Sequence, residues 1–81
     1  MKATVLIRPK QGILDPQGEA VGEALQTMGF AVTRARVGRL VDVELDADDP
    51  ATARAALERM SQELLTNPLI ESFTIELGDE G

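Results

Sequence analysis

The chain has 81 residues and a formal net charge of −6, and it contains no Cys, His, Tyr or Trp. This length predicts one small domain with a marginal core, so self-association is expected. The missing residue types exclude disulfides, thiolate metal sites and catalysis by cysteine or histidine, and the acidic balance argues against nucleic-acid binding. No apolar run is long enough to cross a bilayer and no signal-peptide pattern is present, so we expect a cytoplasmic protein without a membrane partner.

The first two predicted elements are a strand and a helix. Residues 2–8 alternate between two faces and are rich in aliphatic side chains, which indicates a strand. Apolar side chains in residues 16–28 recur at helical spacing. Asp15 and Pro16 are typical of a helix start, and Gly29 is typical of the residue that follows a helix end.

Two further strands are predicted next, over residues 30–37 and 39–46, with Gly38 as the turn or bulge between them. The second of these alternates apolar and acidic residues. Because its carboxylates have strand spacing, they are expected on a solvated face and not in a calcium or magnesium site.

The second half of the chain repeats the pattern of the first. A second helix begins at Pro50 after two aspartates, carries one apolar stripe and ends before Asn67-Pro68. Residues 69–77 alternate again and form the last predicted strand. The element order predicts an α+β, ferredoxin-like βαββαβ fold, in which an antiparallel sheet carries two helices packed on one face. Residues 1–78 would form a single domain, followed by a frayed acidic tail over residues 79–81.

This topology places the loop after the first strand, the predicted hairpin and the entry to the last strand at one end of the domain. That end would collect Arg8, Lys10, Asp15, Arg36, Arg39 and Asn67. Residues 1–39 carry a net charge of +3 and residues 40–81 a net charge of −9, which together give the total of −6. Such an asymmetric charge distribution is suited to steering a docking partner.

Each feature at this end has a structural and a functional interpretation. The structural interpretation of Asp15-Pro16 is a helix cap, and the functional alternative is a role in recognition. Phosphate binding there is disfavoured, because Asp15 and Glu19 are acidic and no glycine-rich phosphate motif is present. Arg36 and Arg39 are either a solvated hairpin end or a contact for an acidic or phosphorylated partner.

Three motifs follow one another along the chain. They are Ile13-Leu14-Asp15-Pro16-Gln17-Gly18 with the helix up to Met28-Gly29-Phe30, then Arg36-Val37-Gly38-Arg39, and finally Leu64-Leu65-Thr66-Asn67-Pro68-Leu69-Ile70-Glu71. In this order they resemble the PurS family, the small subunit of phosphoribosylformylglycinamidine (FGAM) synthase. The resemblance covers essentially the whole chain. Arg39 stands where the family usually has Lys, which keeps the charge and changes its geometry.

The resemblance implies a subunit of a ligase complex in de novo purine synthesis, which converts formylglycinamide ribonucleotide, ATP and glutamine to FGAM. It implies that catalysis belongs to a glutaminase subunit, PurQ, and a synthetase subunit, PurL. The small subunit would be a homodimer or higher oligomer that bridges the two and assists ammonia transfer. This chain would bind no cofactor itself, and the complex would use ATP and glutamine.

The sequence supplies no catalytic or metal-binding candidates, only a candidate subunit interface. Its residues are Lys10, Leu14, Asp15, Pro16, Gln17, Gly18, Arg36, Gly38, Arg39, Asn67 and Pro68. The alternative function is a small dimeric regulatory module that binds an amino acid or nucleotide through Arg36, Arg39, Thr66 and Asn67. A stand-alone enzyme using Asp15 with Glu19 or Arg36 ranks last, because nothing in the sequence positions a nucleophile or orients a base.

Overall fold

The computed structural model describes residues 1–78, so the tail predicted for residues 79–81 lies outside the described residues. The helices and strands confirm the predicted α+β class. In chain order they are β1 (Lys2–Pro9), α1 (Pro16–Thr27), β2 (Arg39–Glu44), α2 (Pro50–Met60), a π-helical turn (Ser61–Leu65) and β3 (Glu71–Leu77).

Both helices begin at the predicted Asp-Pro pairs. The Asp15 carboxylate accepts a hydrogen bond from the Gly18 N–H at 3.1 Å, and the Asp49 carboxylate accepts one from the Thr52 N–H at 3.1 Å. The following prolines have no N–H to leave unpaired in the first turn. Gly29 has a φ of 97°, so the residue after α1 takes the left-handed conformation that glycine adopts without steric cost.

The three strands form one antiparallel sheet in the order β2-β1-β3, with β1 in the centre. Val5 of β1 lies opposite Val41 of β2 and opposite Ile75 of β3. Val5, Val41 and Ile75 lie on one face of the sheet, which we call the helix-side face. α2 packs on this face and closes the core. The buried core residues are Ala3, Val5, Ile7, Ala53, Leu57 and Ile75.

The strand predicted over residues 30–37 is absent from this sheet. Within residues 1–78, the segment from 30 to 38, which we call the arm, pairs with no strand. The predicted hairpin at Gly38 is also wrong. A tight hairpin needs turn residues with positive φ, whereas Gly38 is not among the positive-φ glycines. Gly38 instead lies against β1, where an added Cβ would come within 2.1 Å of the Ile7 carbonyl oxygen.

α1 packs along the arm and makes few contacts with the strands. The Gln26 side chain donates to the Val32 carbonyl oxygen at 2.8 Å, and the Val37 N–H donates to the Asp15 carboxylate at 2.9 Å. Between these two contacts the helix and the arm each cover roughly 17 Å, at about 1.5 Å and 3.3 Å per residue respectively. The arm is therefore an extended chain that runs antiparallel to α1.

The molecule consists of two parts that differ in shape. The body comprises β1, β2, β3, α2 and the π-helical turn, and the α1–arm unit projects from it. As a result the radius of gyration is 15.8 Å and the extents are 49 × 29 × 13 Å. A compact domain of this length would have a radius of gyration of about 12 Å.

Candidate functional site

Three loops meet at the end of the body from which the α1–arm unit projects. We call this region the loop end; it comprises residues 10–15, 36–39 and 66–70. The Lys10 N–H donates to the Ile70 carbonyl oxygen at 2.9 Å, which ties the first loop to the third. The Arg36 guanidinium donates to the Pro9 carbonyl oxygen, which ties the arm to the end of β1. The structure thus brings together the three sequence motifs that were predicted to converge.

Asp15 connects the first loop to the arm. One carboxylate oxygen caps α1 through Gly18, and the other accepts the Val37 N–H at 2.9 Å. The Val37 N–H and, after it, the Gly18 N–H lower the pKa of Asp15, because both donors stabilise the ionised carboxylate. Asp15 therefore has both a capping role and a second role, which is to hold the arm in place.

Gly18 allows α1 to approach the arm closely. A Cβ at this buried position would lie 2.2 Å from the Asp15 carboxylate, 2.7 Å from the Ala35 carbonyl oxygen and 2.8 Å from the Arg36 Cα. Gly22, one turn later, is less constrained, since its Cβ would meet Ala35 at 3.6–3.7 Å. Gly18 is thus a structural residue at the junction of the loop end and the α1–arm unit.

Arg39 is bound within its own chain. Its guanidinium makes a two-point ion pair with Glu71, at 2.5 and 3.0 Å, and also donates to the Leu65 carbonyl oxygen at 2.7 Å. Glu71 additionally accepts the Asn67 N–H at 2.7 Å. Arg39 lowers the pKa of Glu71, and Glu71 raises the pKa of Arg39, because each charge stabilises the other.

Glu71 was missed as a site residue, although the sequence contains a signal for it. Arg39 lies opposite Ile7, and Glu71 lies opposite Pro9 on the other side of β1. Both charged residues therefore share the side of the sheet that carries the core. When two predicted strands carry opposite charges at positions that face the core, an ion pair between them is expected.

The loop end also exposes large apolar side chains. Leu14 is 73% exposed, Leu69 is 83% exposed and Ile70 is 41% exposed. Leu14 and Ile70 line a groove of about 230 Å³ that also includes Pro9, Gln17 and Val37. Leu69 and Ile70 were not predicted as site residues, because their pattern was assigned to the start of the last strand.

The remaining predicted residues lie at the same end of the molecule. Lys10, Pro16 and Gln17 are exposed around the start of α1, and Asn67 and Pro68 are exposed in the turn before β3. The Asn67 carboxamide oxygen accepts the Leu69 N–H at 3.2 Å, which holds that turn. The predicted residues thus form a continuous neighbourhood and not scattered positions.

This neighbourhood has the chemistry of a contact surface. Asp15, Arg39 and Glu71 are occupied by hydrogen bonds within the chain. Within residues 1–78 no group of three or more potential metal-ligating side chains occurs, and no helix is long and apolar enough to cross a bilayer. The fold and the loop end define a small α+β protein that exposes apolar and polar side chains together at one end.

Comparisons with known proteins identify the family. The family model of PurS, phosphoribosylformylglycinamidine (FGAM) synthase, matches residues 2–79. A PurS subunit of FGAM synthase from Synechocystis sp. is 39% identical over 74 residues, which are 90% of this chain and 72% of the relative. The chain belongs to the PurS family and is a non-catalytic subunit of FGAM synthase.

Solved structures agree with this assignment. PurS from Methanocaldococcus jannaschii, one of the subunits of formylglycinamide ribonucleotide amidotransferase, superimposes with a TM-score of 0.82 at 32% identity, covering 93% of this chain and 92% of that one. A chain from the PurLQS structure of Thermotoga maritima gives a TM-score of 0.85 at 25% identity and covers 93% of both chains. Because the matches cover this much of the chain, they include α1 as well as the body.

Proposed function

We propose that this chain bridges the glutaminase subunit PurQ and the synthetase subunit PurL of FGAM synthase, and assists the transfer of ammonia between them. It acts in the cytoplasm as a homodimer or higher oligomer. ATP and glutamine are bound by the larger subunits, and this chain binds no cofactor. The Thermotoga maritima relative, which belongs to a PurLQS assembly, supports the choice of partners.

The observation that carries this proposal is the loop end. It gathers three distant segments into one surface, while the ionised side chains of Asp15, Arg36 and Arg39 already have partners within the chain. Leu14 and Leu69 remain mostly exposed there. Exposed apolar side chains beside polar backbone turns are typical of protein contact sites. A bridging subunit needs such a surface and needs no catalytic group.

Reconstitution with both larger subunits tests the bridging role. Glutamine-dependent FGAM formation should require this chain, whereas turnover with added ammonium should depend on it much less, because external ammonia bypasses the transfer step. Full glutamine-dependent activity in the absence of this chain would contradict the proposal.

The contact surface is tested by paired substitutions. Leu14→Ser and Leu69→Ser should each weaken complex formation and lower glutamine-dependent activity by about tenfold, since truncating a central apolar contact costs on the order of 1–2 kcal/mol. Leu64→Ser is the matched control, because Leu64 is equally exposed at 83% and lies on the π-helical turn outside the loop end. Equal effects from all three variants would reject the loop end as the contact surface.

The alternative function, a regulatory module for an amino acid or nucleotide, receives less support from the geometry. Of the groups that would orient such a ligand, Arg39 is bound to Glu71, and the buried Thr66 hydroxyl donates to the Ser61 carbonyl oxygen at 2.8 Å. Calorimetry with amino acids and purine nucleotides separates the two functions, since the bridging proposal expects no binding by the isolated chain.

A further inference from the structure

The residues that lead into β3 reverse the usual pattern of exposure. We call residues 66–71 the entry turn. Within it the Glu71 side chain is 17% exposed, whereas Leu69, two residues earlier, is 83% exposed. A carboxylate that is shielded from water has to be stabilised by hydrogen bonds, so the partners of Glu71 show what it does.

Glu71 holds the beginning of the entry turn. Its carboxylate accepts the Asn67 N–H at 2.7 Å and is paired with the Arg39 guanidinium at 3.0 Å. Arg39 also donates to the Leu65 carbonyl oxygen at 2.7 Å, immediately before the turn. The chain is thereby fixed on both sides of Thr66, and the two charges neutralise each other within the chain.

The backbone of the entry turn has no free hydrogen-bond donor. Every N–H from residue 66 to residue 71 has a partner within the chain, except at Pro68, which has no N–H. The Asn67 carbonyl oxygen accepts two of these bonds, at 3.0 and 2.8 Å, and the Asn67 carboxamide oxygen accepts a third, at 3.2 Å. Because strand addition to another sheet needs free backbone donors, the turn can be recognised only through its side chains.

The entry turn therefore displays apolar side chains on a fixed backbone. Leu69 is mostly exposed, and Ile70 is 41% exposed and lines the groove of about 230 Å³ together with Leu14. The Ile70 carbonyl oxygen accepts the Lys10 N–H at 2.9 Å, which ties the end of the turn to the first loop. A side chain on an ordered backbone costs less entropy to bind, so the turn is preorganised for contact with a partner.

We infer that Glu71 is a positioning residue of the contact surface, which holds the entry turn so that Leu69 can enter an apolar pocket on one of the larger subunits. The inference rests on the proposed bridging function and specifies how the loop end is recognised. The charges of Arg39 and Glu71 neutralise each other and the backbone donors are used. An apolar pocket therefore fits this surface better than a charged site or a strand edge. Glu71 acts through Leu69 and makes no contact with the partner itself.

A double-mutant cycle tests this inference, with the affinity of the chain for the purified larger subunits measured directly by fluorescence titration. Leu69→Ser should weaken binding about tenfold. Glu71→Met should weaken it about tenfold as well, because the Asn67 N–H and Arg39 lose their acceptor and the turn is no longer preorganised. The double variant should also bind about tenfold more weakly than wild type, since a misplaced leucine contributes no more than an absent one. Two independent effects would multiply to about a hundredfold, and that result would overturn the positioning role.

Glu71→Gln is the matched variant at the same position. It removes the charge, but its carboxamide oxygen can still accept the Asn67 N–H, so binding should stay within about twofold of wild type. If Glu71 bound the partner through its charge, Glu71→Gln would weaken binding as much as Glu71→Met, and that result would overturn the inference. A purely structural role is also separated, because a general loss of folding from Glu71→Met would add to the effect of Leu69→Ser. Circular dichroism at the titration concentration checks the folding of each variant.

The outcomes separate this inference from the bridging role. Unchanged binding of Leu69→Ser rejects the loop end as the contact surface and overturns the inference with it, whereas an additive cycle overturns only the role of Glu71. Failure of the bridging role appears in a different measurement, as full glutamine-dependent activity in the absence of this chain, and changes none of the binding results.

Discussion

Leu57 of α2 and Val21 of α1 both belong to the apolar stripe of their helix, yet Leu57 is fully buried and Val21 is 42% exposed. The body is held together by side chains packed between a helix and a sheet. The α1–arm unit is held by the two small residues Gly18 and Gly22 and by hydrogen bonds along an extended chain. The same helical pattern has thus been used for two purposes, one internal to the chain and one directed outward.

The largest difference between the two parts should appear on truncation of their apolar residues. Leu57→Ala should lower the free energy of unfolding by about 2–5 kcal/mol, because it leaves a cavity in a filled core. Val21→Ala should affect self-association more than the unfolding of the body. Urea unfolding at several protein concentrations measures both effects, because coupling to association makes stability depend on concentration. Equal losses would mean that the two helices do not differ as described.

The junction between the two parts is tested by two glycines of α1. Gly18→Ala should destabilise the protein by about 1–3 kcal/mol, since its Cβ has no space against Asp15 and the arm. Gly22→Ala is the matched control; its Cβ makes ordinary contacts, so the higher helix propensity of alanine should stabilise α1 by up to about 1 kcal/mol. Thermal unfolding at one fixed concentration distinguishes the opposite signs. A stabilising Gly18→Ala would contradict the close approach of α1 to the arm.

Within the body, the ion pair between Arg39 and Glu71 can be weakened without removing its charge. Arg39→Lys keeps the cation but loses the two-point geometry and the bond to the Leu65 carbonyl oxygen, which should cost about 1 kcal/mol. Arg59→Lys is the control, because Arg59 and Glu63 form an exposed pair within one helical turn. Its expected cost is below about 0.5 kcal/mol by chemical unfolding. A larger loss at Arg59 would reject the special role assigned to Arg39.

The smallest effect is expected from the charge of Asp15 at the junction. Since folding lowers the pKa of Asp15, its ionised form stabilises the folded state above about pH 4, the usual value for an unfolded aspartate. This contribution is lost as the pH falls through the lower folded-state pKa. Asp15→Asn should thus reduce stability at pH 7, and the difference from wild type should shrink towards pH 2. A difference that grows with acidification would contradict the sign of the shift.

The local elements could be predicted because their determinants are local. Asp15 and Pro16, and likewise Asp49 and Pro50, cap and start a helix through contacts within one turn, and Gly29 ends α1 through its own backbone conformation. Such features are present in a short stretch of sequence. The alternation of β1, β2 and β3 is equally local, and for this reason these three strands were predicted close to their observed bounds.

Pairing and contact could not be predicted in the same way. The strand predicted over residues 30–37 correctly indicated an extended chain, but an extended chain does not specify which edge it joins. The pattern also assigned Leu69 and Ile70 to a strand, whereas the Asn67 carbonyl oxygen holds both Ile70 and Glu71 in a turn. The groove at the loop end depends on how three segments pack, so only its approximate location followed from the topology.

Gly38 has a consequence for the range of sequences that this fold accepts. Gly29 is required for its backbone conformation, and Asn or Asp can take such a conformation at modest cost. Gly38 is required for space, since any side chain would meet the Ile7 carbonyl and separate β2 from β1. In a saturation-mutagenesis map, position 29 would tolerate a few polar replacements, and position 38 would tolerate none. A single carbonyl oxygen on β1 thus determines which residue may stand where the arm joins β2.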